Sequence, residues 1–153
     1  MKIQVGSFIL ALLLLLIPHS DMQNSKLPIT LEAADATLNG SGPTVTTHEN
    51  GKIVENITFG SSLEYTDIEV EKAGVYKFDL KYLTGDTNRP ISITVNNYDP
   101  VTVHFPQTTA TWGNPADANT STAYLHFDAG KNKIKMTPIK SYGPNLVKFI
   151  INK

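Results

Sequence analysis

Apolar and polar residues alternate with a period of two along most of the chain. The clearest case lies within Ala73–Val95, where Tyr76, Phe78, Leu80 and Tyr82 share one phase and lysine and aspartate share the other. Side chains of a strand point alternately to opposite faces, so this pattern predicts a strand with one buried and one wet face. A turn-rich connection and a second alternating run follow, which predicts a pair of half-buried strands.

The same pattern recurs in about ten short segments separated by turn signals, and no segment after the N-terminal region keeps a helical period. Asn50-Gly51 and Asn96-Asn97 are predicted turns, because asparagine and glycine tolerate the left-handed backbone conformation. The phase slips between Tyr65 and Ile68, which predicts a bulge or bend. Short strands at regular spacing predict an all-β fold, a sandwich of two antiparallel sheets.

Two stretches depart from the alternation. Leu146–Ile151 is almost continuously apolar, which predicts a last strand that is covered on both faces. Pro106–Ser121 is the longest irregular stretch, and it contains the only tryptophan, Trp112. Long loops of this kind tend to be functional or disordered, so this loop is the first place to look for a binding site.

The N-terminal region has the pattern of a secretory signal. Lys2 precedes the unbroken apolar run Phe8–Ile17, and Pro18 ends that run. A run of about ten residues suits a signal peptide and is too short to span a bilayer, although an uncleaved membrane anchor is the alternative. We therefore predict a signal peptide and loose lead-in over residues 1–25, a single domain over residues 26–153, and a secreted protein without membrane contact after cleavage.

The charge of the chain argues against one class of partner, and its cysteine content excludes disulfide bonds. The formal net charge is −1 at pH 7 and the basic residues are scattered, so a nucleic-acid partner is not expected. The chain contains no cysteine. An exported domain of this kind must be held by its apolar core alone, without disulfide bonds.

Six segments occur together in the order and spacing of one family. They are Leu31–Ala36, Ala73–Tyr82, Asn88–Asn97, Val101–Thr108, Asp128–Met136 and Gly143–Ile151. With them the chain resembles the carbohydrate-binding modules of families 35 and 6, and family 35 more closely. This resemblance implies a galactose-binding-like β-sandwich of jelly-roll type that binds a mono- or polysaccharide through loops at one end. It also implies a role beside a glycoside hydrolase.

The resemblance breaks down at the family's structural calcium site. The family holds that ion between two glutamates of the first strand and an aspartate of the last strand. Here only Glu32 is retained, because Ala34 and Val147 stand at the other two positions. Calcium takes about six or more oxygen ligands, so losing two carboxylates should abolish tight binding. We predict no metal site and no cofactor.

The resemblance also implies two residues of the sugar site. Trp112 matches the family's cleft tryptophan, one position out of step, and Asn145 matches the asparagine of the last loop. A sugar offers an apolar C–H face and a rim of hydroxyl groups, which suit an aromatic platform and an amide that both donates and accepts. The alternatives are that Trp112 caps the core and that Asn145 is only a turn residue.

The aromatic residue that faces the tryptophan in the family is missing. Its position aligns near Asn56, and Phe59 or Tyr142 is a candidate to replace it. Tyr82 is the last residue of its strand before the turn, so it is the one residue of that strand with a chance of reaching a ligand. The candidate ligand-binding residues are therefore Trp112, Asn145, Tyr142, Asn56 and Tyr82.

No catalytic residues are predicted. The chain has neither a cysteine nucleophile nor a Gly-x-Ser-x-Gly elbow, and His126 and Asp128 share a strand phase without a nucleophile beside them. The sequence therefore favours a secreted, non-catalytic carbohydrate-binding module. The alternative from another class is an exported structural or protein-interaction domain that has lost sugar binding. A small glycosidase or lyase is the third hypothesis.

Overall fold

The computed structural model describes residues 26–108 and 112–153, so the predicted signal peptide and lead-in lie outside the described residues. Those residues form two antiparallel sheets and two single-turn 3-10 helices, and they contain no helix long and apolar enough to cross a membrane. The strands are β1 (Ile29–Glu32), β2 (Thr37–Asn39), β3 (Thr44–His48), β4 (Gly51–Glu55), β5 (Ser62–Val70), β6 (Gly74–Leu83), β7 (Ile91–Val95), β8 (Val101–Val103), β9 (Asn119–Phe127), β10 (Gly130–Pro138) and β11 (Asn145–Asn152).

The strands are arranged as a jelly-roll sandwich, which confirms the predicted fold class. One sheet has the order β3-β4-β11-β6-β9, and β1 also pairs with β11; the other has the order β2-β5-β10-β7-β8. Both β4 and β1 pair with β11, β4 at its start and β1 along its second half. Because every pairing is antiparallel, the ends of β4 and β6 and the starts of β9 and β11 meet at one end of the sandwich.

The inward phase of the strands forms one continuous core between the sheets. The predicted inward set of β6, from Tyr76 to Tyr82, is buried throughout. Phe149 of β11 stacks on Phe78 with ring centroids 5.6 Å apart and meets Tyr65 of the opposite sheet edge-on at 5.9 Å. Burial of this continuous apolar core stabilises a domain that has no disulfide bond.

The predicted turns and the predicted bulge are present. Gly51 (φ 130°) turns β3 into β4, and Asn96 (φ 49°) starts the turn after β7. The pairing of β10 with β5 shifts register between Asn132 and Ile134, and Asp67 lies opposite the shift with φ 62°. An extra residue in one strand produces such a shift, so the slip of phase in the sequence marked a true bulge.

Two local predictions need adjustment. At the start of β11, Val147 is buried on the outer side with Ile53 and Leu83, but Lys148 and Ile150 are only half-buried. The last strand is therefore covered on both faces at one end only. The predicted irregular stretch is too long, because its last residues, Asn119 to Ser121, pair with β6 as part of β9.

Candidate functional site

A cleft of about 310 Å³ opens at the end of the sandwich where β4, β6, β9 and β11 meet. We call it the end cleft. It is formed by the end of β4, the loop before β7, the loop before β9 and the loop before β11. Its lining residues are Glu55, Asn56, Arg89, Trp112, Tyr142 and Asn145.

Four of the five predicted ligand-binding residues line this cleft: Asn56, Trp112, Tyr142 and Asn145. They come from loops that are far apart in sequence and share only their place at one end of the sheets. Asn56 is exposed, has the left-handed φ of 56°, and donates from its amide to the Thr44 hydroxyl at 3.1 Å. The amide of Asn56 can offer hydrogen bonds at the rim but no stacking surface.

Trp112 is half-buried in the cleft and is not a member of the buried apolar core. Its backbone carbonyl accepts a hydrogen bond of 3.0 Å from Nδ2 of Asn145, which is 6% exposed. A Cβ atom on Gly85 would lie 2.6 Å from the indole ring, so only glycine leaves room for the ring in this position. The position of Trp112 thus depends on the amide of Asn145 and on the absence of a side chain at Gly85.

The second aromatic residue of the cleft is Tyr142, which is 50% exposed. Phe59 is still more exposed, at 71%, but it does not line the cleft. Of the two candidates for the missing aromatic role, the structure brings Tyr142 to Trp112 and leaves Phe59 outside.

The inclusion of Tyr82 among the ligand-binding residues is wrong. Its side chain is 1% exposed, and its ring packs edge-on against Phe105 with centroids 4.8 Å apart. Its hydroxyl group donates to the carbonyl oxygen of Pro106 at 2.8 Å. The loop after β8 therefore covers the end of β6, and Tyr82 cannot reach the cleft.

Arg89 is the cleft residue that the sequence did not reveal. Its guanidinium carbon lies 4.5 Å from the ring centroid of Trp112 and 5.4 Å from that of Tyr142. Its Nε donates to Oδ2 of Asp86 at 2.9 Å, and this bond is the main reason why the pKa of Asp86 lies below its usual value. Arg89 is the only arginine in the chain, but its place in a loop gave no sign of the rings it contacts.

Glu55 adds a carboxylate to the same cleft, where it accepts a hydrogen bond from the Thr46 hydroxyl. Together the residues offer one carboxylate, one guanidinium cation, two aromatic rings and two amides. Such a set can bind a small polar ligand through stacking and several hydrogen bonds. It contains no nucleophile paired with a base.

The three positions that the resemblance assigns to calcium line one cavity, but their surroundings do not suit a cation. Glu32, Ala34 and Val147 line a second cavity, of about 640 Å³, with Asp35. Three lysines line it too: Lys52, Lys81 and Lys148. Among the described residues there is no group of three or more His, Cys, Asp or Glu side chains able to hold a metal ion. Nearby ammonium groups would repel a divalent cation, so these residues do not fit calcium.

We expect calcium to leave the thermal stability of this protein unchanged. A ligand that binds only the folded state raises Tm, so a protein without the site should show no shift. Thermal melts followed by circular dichroism, with millimolar calcium chloride or with EDTA, measure this directly. A calcium-dependent rise of several degrees would show that Glu32 and its neighbours still form the ion site.

His126 and Asp128 do not form a catalytic pair. The Asp128 carboxylate accepts from the Tyr98 hydroxyl at 2.6 Å and from Nδ2 of Asn96 at 2.7 Å. The His126 ring packs against the Tyr98 ring with centroids 4.6 Å apart. Both side chains belong to an exposed cluster at the turn after β9, as expected for solvated strand residues.

Comparison with known proteins identifies the fold. No protein-family model matches the chain, and neither does any curated protein. A family 35 carbohydrate-binding module from Clostridium thermocellum superposes with a TM-score of 0.72 at 22% identity, over 82% of this chain and 98% of that one. The C-terminal family 6 module of a laminarinase from Zobellia galactanivorans gives 0.70 at 20% identity, over 82% and 99%. The predicted resemblance to these two families of modules is confirmed.

The same fold also occurs as one part of a larger enzyme. An exo-β-1,3-galactanase from Phanerochaete chrysosporium matches 81% of this chain with a TM-score of 0.69 at 21% identity. The match covers only 29% of the galactanase chain, so the sandwich there accompanies other structure.

Proposed function

We propose that this protein is a secreted, non-catalytic sugar-binding module whose ligand site is the end cleft. The observation that carries the proposal is the convergence of Trp112, Tyr142 and Asn145 in one cleft, at the loop end of a sandwich shared with carbohydrate-binding modules. Secretion rests on the apolar run Phe8–Ile17. A working partnership with a glycoside hydrolase is supported by the occurrence of the fold within a galactanase.

The chemistry of the cleft suits a saccharide. The C–H face of a sugar ring packs on an aromatic ring, and its hydroxyl groups need donors and acceptors in fixed positions. Tyr142 and Trp112 supply the rings, while Asn56, Asn145 and Glu55 supply polar groups. Because the cleft is small and open, few contacts remain after the entropic cost of association, so affinity for a single sugar should be weak.

A second candidate function is a structural or protein-interaction domain that has kept the sandwich and lost the sugar. One observation favours it: an asparagine, Asn56, stands where the family places its cleft aromatic residue. Capture of a protein partner that persists after removal of all glycans would support this alternative.

We expect Trp112→Ala to weaken saccharide binding about tenfold, because one aromatic stacking contact contributes up to about 1.5 kcal/mol beyond its buried area, and about 1.4 kcal/mol is a tenfold change in Kd. Calorimetric titration with galactosides, uronic acids, mannans and xylans measures the loss. A matched control is Tyr124→Ala, which removes an aromatic ring that is 66% exposed on the outer face of β9. Binding that survives Trp112→Ala, or that is lost in Tyr124→Ala instead, would place the sugar elsewhere.

A further inference from the structure

The only arginine of this chain lies against its only tryptophan. The guanidinium group of Arg89 lies over both rings of the end cleft, 4.5 Å from the Trp112 centroid and 5.4 Å from the Tyr142 centroid. A sugar that stacked on these rings would need the same space, because stacked groups approach an aromatic face at about these distances. On the ring faces that the guanidinium covers, Arg89 and a stacked sugar therefore exclude each other.

The side chain of Arg89 is held in this position from two sides. Its Nε donates to Oδ2 of Asp86 at 2.9 Å, and its NH1 donates to the carbonyl oxygen of Gly143 at 3.2 Å. Only 21% of the arginine side chain is exposed, although half of the Asp86 side chain is. The guanidinium thus bridges the loop before β7 and the loop before β11 across the cleft.

The loop itself positions the acid that holds Arg89. The backbone N–H of Asp86 donates to the Thr84 hydroxyl, which in turn donates to the Asp86 carbonyl oxygen at 2.8 Å. Oδ1 of Asp86 accepts from the backbone N–H of Asn88 at 3.0 Å. Oδ2 is thereby directed to Arg89 before any ligand arrives. The position of Arg89 over the rings is therefore set by the hydrogen bonds of this loop.

We propose that Arg89 determines which ligands enter the end cleft. Its guanidinium group lies over the rings of Trp112 and Tyr142, so a neutral saccharide stacks on the covered faces only after the arginine side chain has moved out. The inference rests on the proposed sugar-binding function, but the position of Arg89 on the indole can be tested without any sugar.

The contacts that hold Arg89 are weak enough for a ligand to displace the side chain, but breaking them lowers the affinity for that ligand. Water reaches the half-exposed Asp86 and weakens its ion pair with Arg89, and a single cation–π contact is weak too, so a ligand can displace the arginine side chain. The free energy lost when these contacts break must nevertheless be offset by the contacts that the sugar makes, so the net affinity for the sugar is lower. Removing the guanidinium should therefore raise the affinity for a neutral saccharide several-fold, to about tenfold.

The first test uses the fluorescence of Trp112, which is the only tryptophan and so reports on this site alone. We expect Arg89→Ala to raise the acrylamide quenching constant roughly twofold, because one face of a half-buried indole is uncovered. Lys140→Ala is the matched control, since Lys140 is a neighbouring cation that donates to Asn88 and not to the rings. Equal quenching in wild type and Arg89→Ala would overturn the proposal.

The second test titrates neutral saccharides into wild type, Arg89→Ala and Lys140→Ala. Tighter binding by Arg89→Ala alone, including binding where wild type shows none, supports the proposal. If Arg89→Ala binds the saccharide no more tightly than wild type, or if Lys140→Ala gains as much affinity as Arg89→Ala, the inference is overturned and the proposed function still stands. Absence of binding in every variant overturns both.

A second variant keeps the proposal testable if Arg89→Ala does not fold. Asp86→Asn keeps the arginine and removes the charge that holds it, so we expect a smaller increase in both quenching and sugar affinity. Matching circular dichroism spectra and Tm values establish that the variants are folded. An Asp86→Asn protein that binds sugar more weakly than wild type would contradict the proposed role of the ion pair.

Discussion

Phe149→Ala should lower the free energy of unfolding by about 3–5 kcal/mol, because it leaves a large cavity in a close-packed core. Phe149 is fully buried, stacks on Phe78 with an interplanar angle of 13°, and meets Tyr65 edge-on at 80°. Its ring therefore joins the two sheets at the middle of β11. Guanidinium denaturation followed by circular dichroism measures the change, and Phe149→Leu is a milder variant if the alanine variant does not fold.

The control for this prediction lies one residue further along the same strand. Ile150 is only half-buried and, by the alternation of β11, points to the opposite face from Phe149. Ile150→Ala should cost about 1 kcal/mol, in the usual range for a partly exposed position. Equal losses in the two variants would mean that the core does not lie on the Phe149 side of β11.

Asn132→Ala should lower the free energy of unfolding by about 3 kcal/mol, because it removes five hydrogen bonds that are buried or partly buried. Asn132 is 2% exposed, and the two N–H groups of its Nδ2 are shared among the carbonyl oxygens of Ile68, Asp128 and Gly130, at 3.2, 2.9 and 2.9 Å. Its Oδ1 accepts from the Asp128 N–H at 2.9 Å and from Nδ2 of Asn96 at 2.8 Å. Urea denaturation measures the loss.

The matched control is Asn97→Ala, an exposed asparagine in the turn after β7. Surface substitutions away from special features usually change stability by no more than about 0.5 kcal/mol. A loss as small as this in Asn132→Ala as well would show that the hydrogen bonds around the β5–β10 bulge contribute little to stability.

The end cleft was only partly accessible to sequence reasoning. Trp112 and Asn145 were predicted through the resemblance: Asn145 lies in the last of the six segments, and Trp112 matches the family's cleft tryptophan one position out of step. Tyr82 was misplaced, although its phase with Phe78 and Leu80 indicated burial. Its nearness to a turn suggested exposure, but the loop at Pro106 covers the end of the strand.

Arg89 and Asn132 show why the remainder was missed. Arg89 reaches Gly143, which is 54 positions away, and Asn132 reaches Ile68, which is 64 positions away. A charge in a loop does not indicate which ring it will cover. An asparagine on the inward phase of a strand does not indicate which groups will form hydrogen bonds with its side chain. Such roles depend on pairs of residues that have no local pattern.

The alternation of apolar and polar residues was sufficient to predict the strands, the buried face of β6 and the bulge at Asp67, because each depends on neighbours along the chain. Tertiary structure alone brought Trp112, Tyr142 and Asn145 to one end of the sandwich and set the Arg89 guanidinium over both rings. The physical reason is that strand faces follow from backbone geometry with a period of two. The end cleft instead depends on how separate loops pack once the sheets have closed on their core.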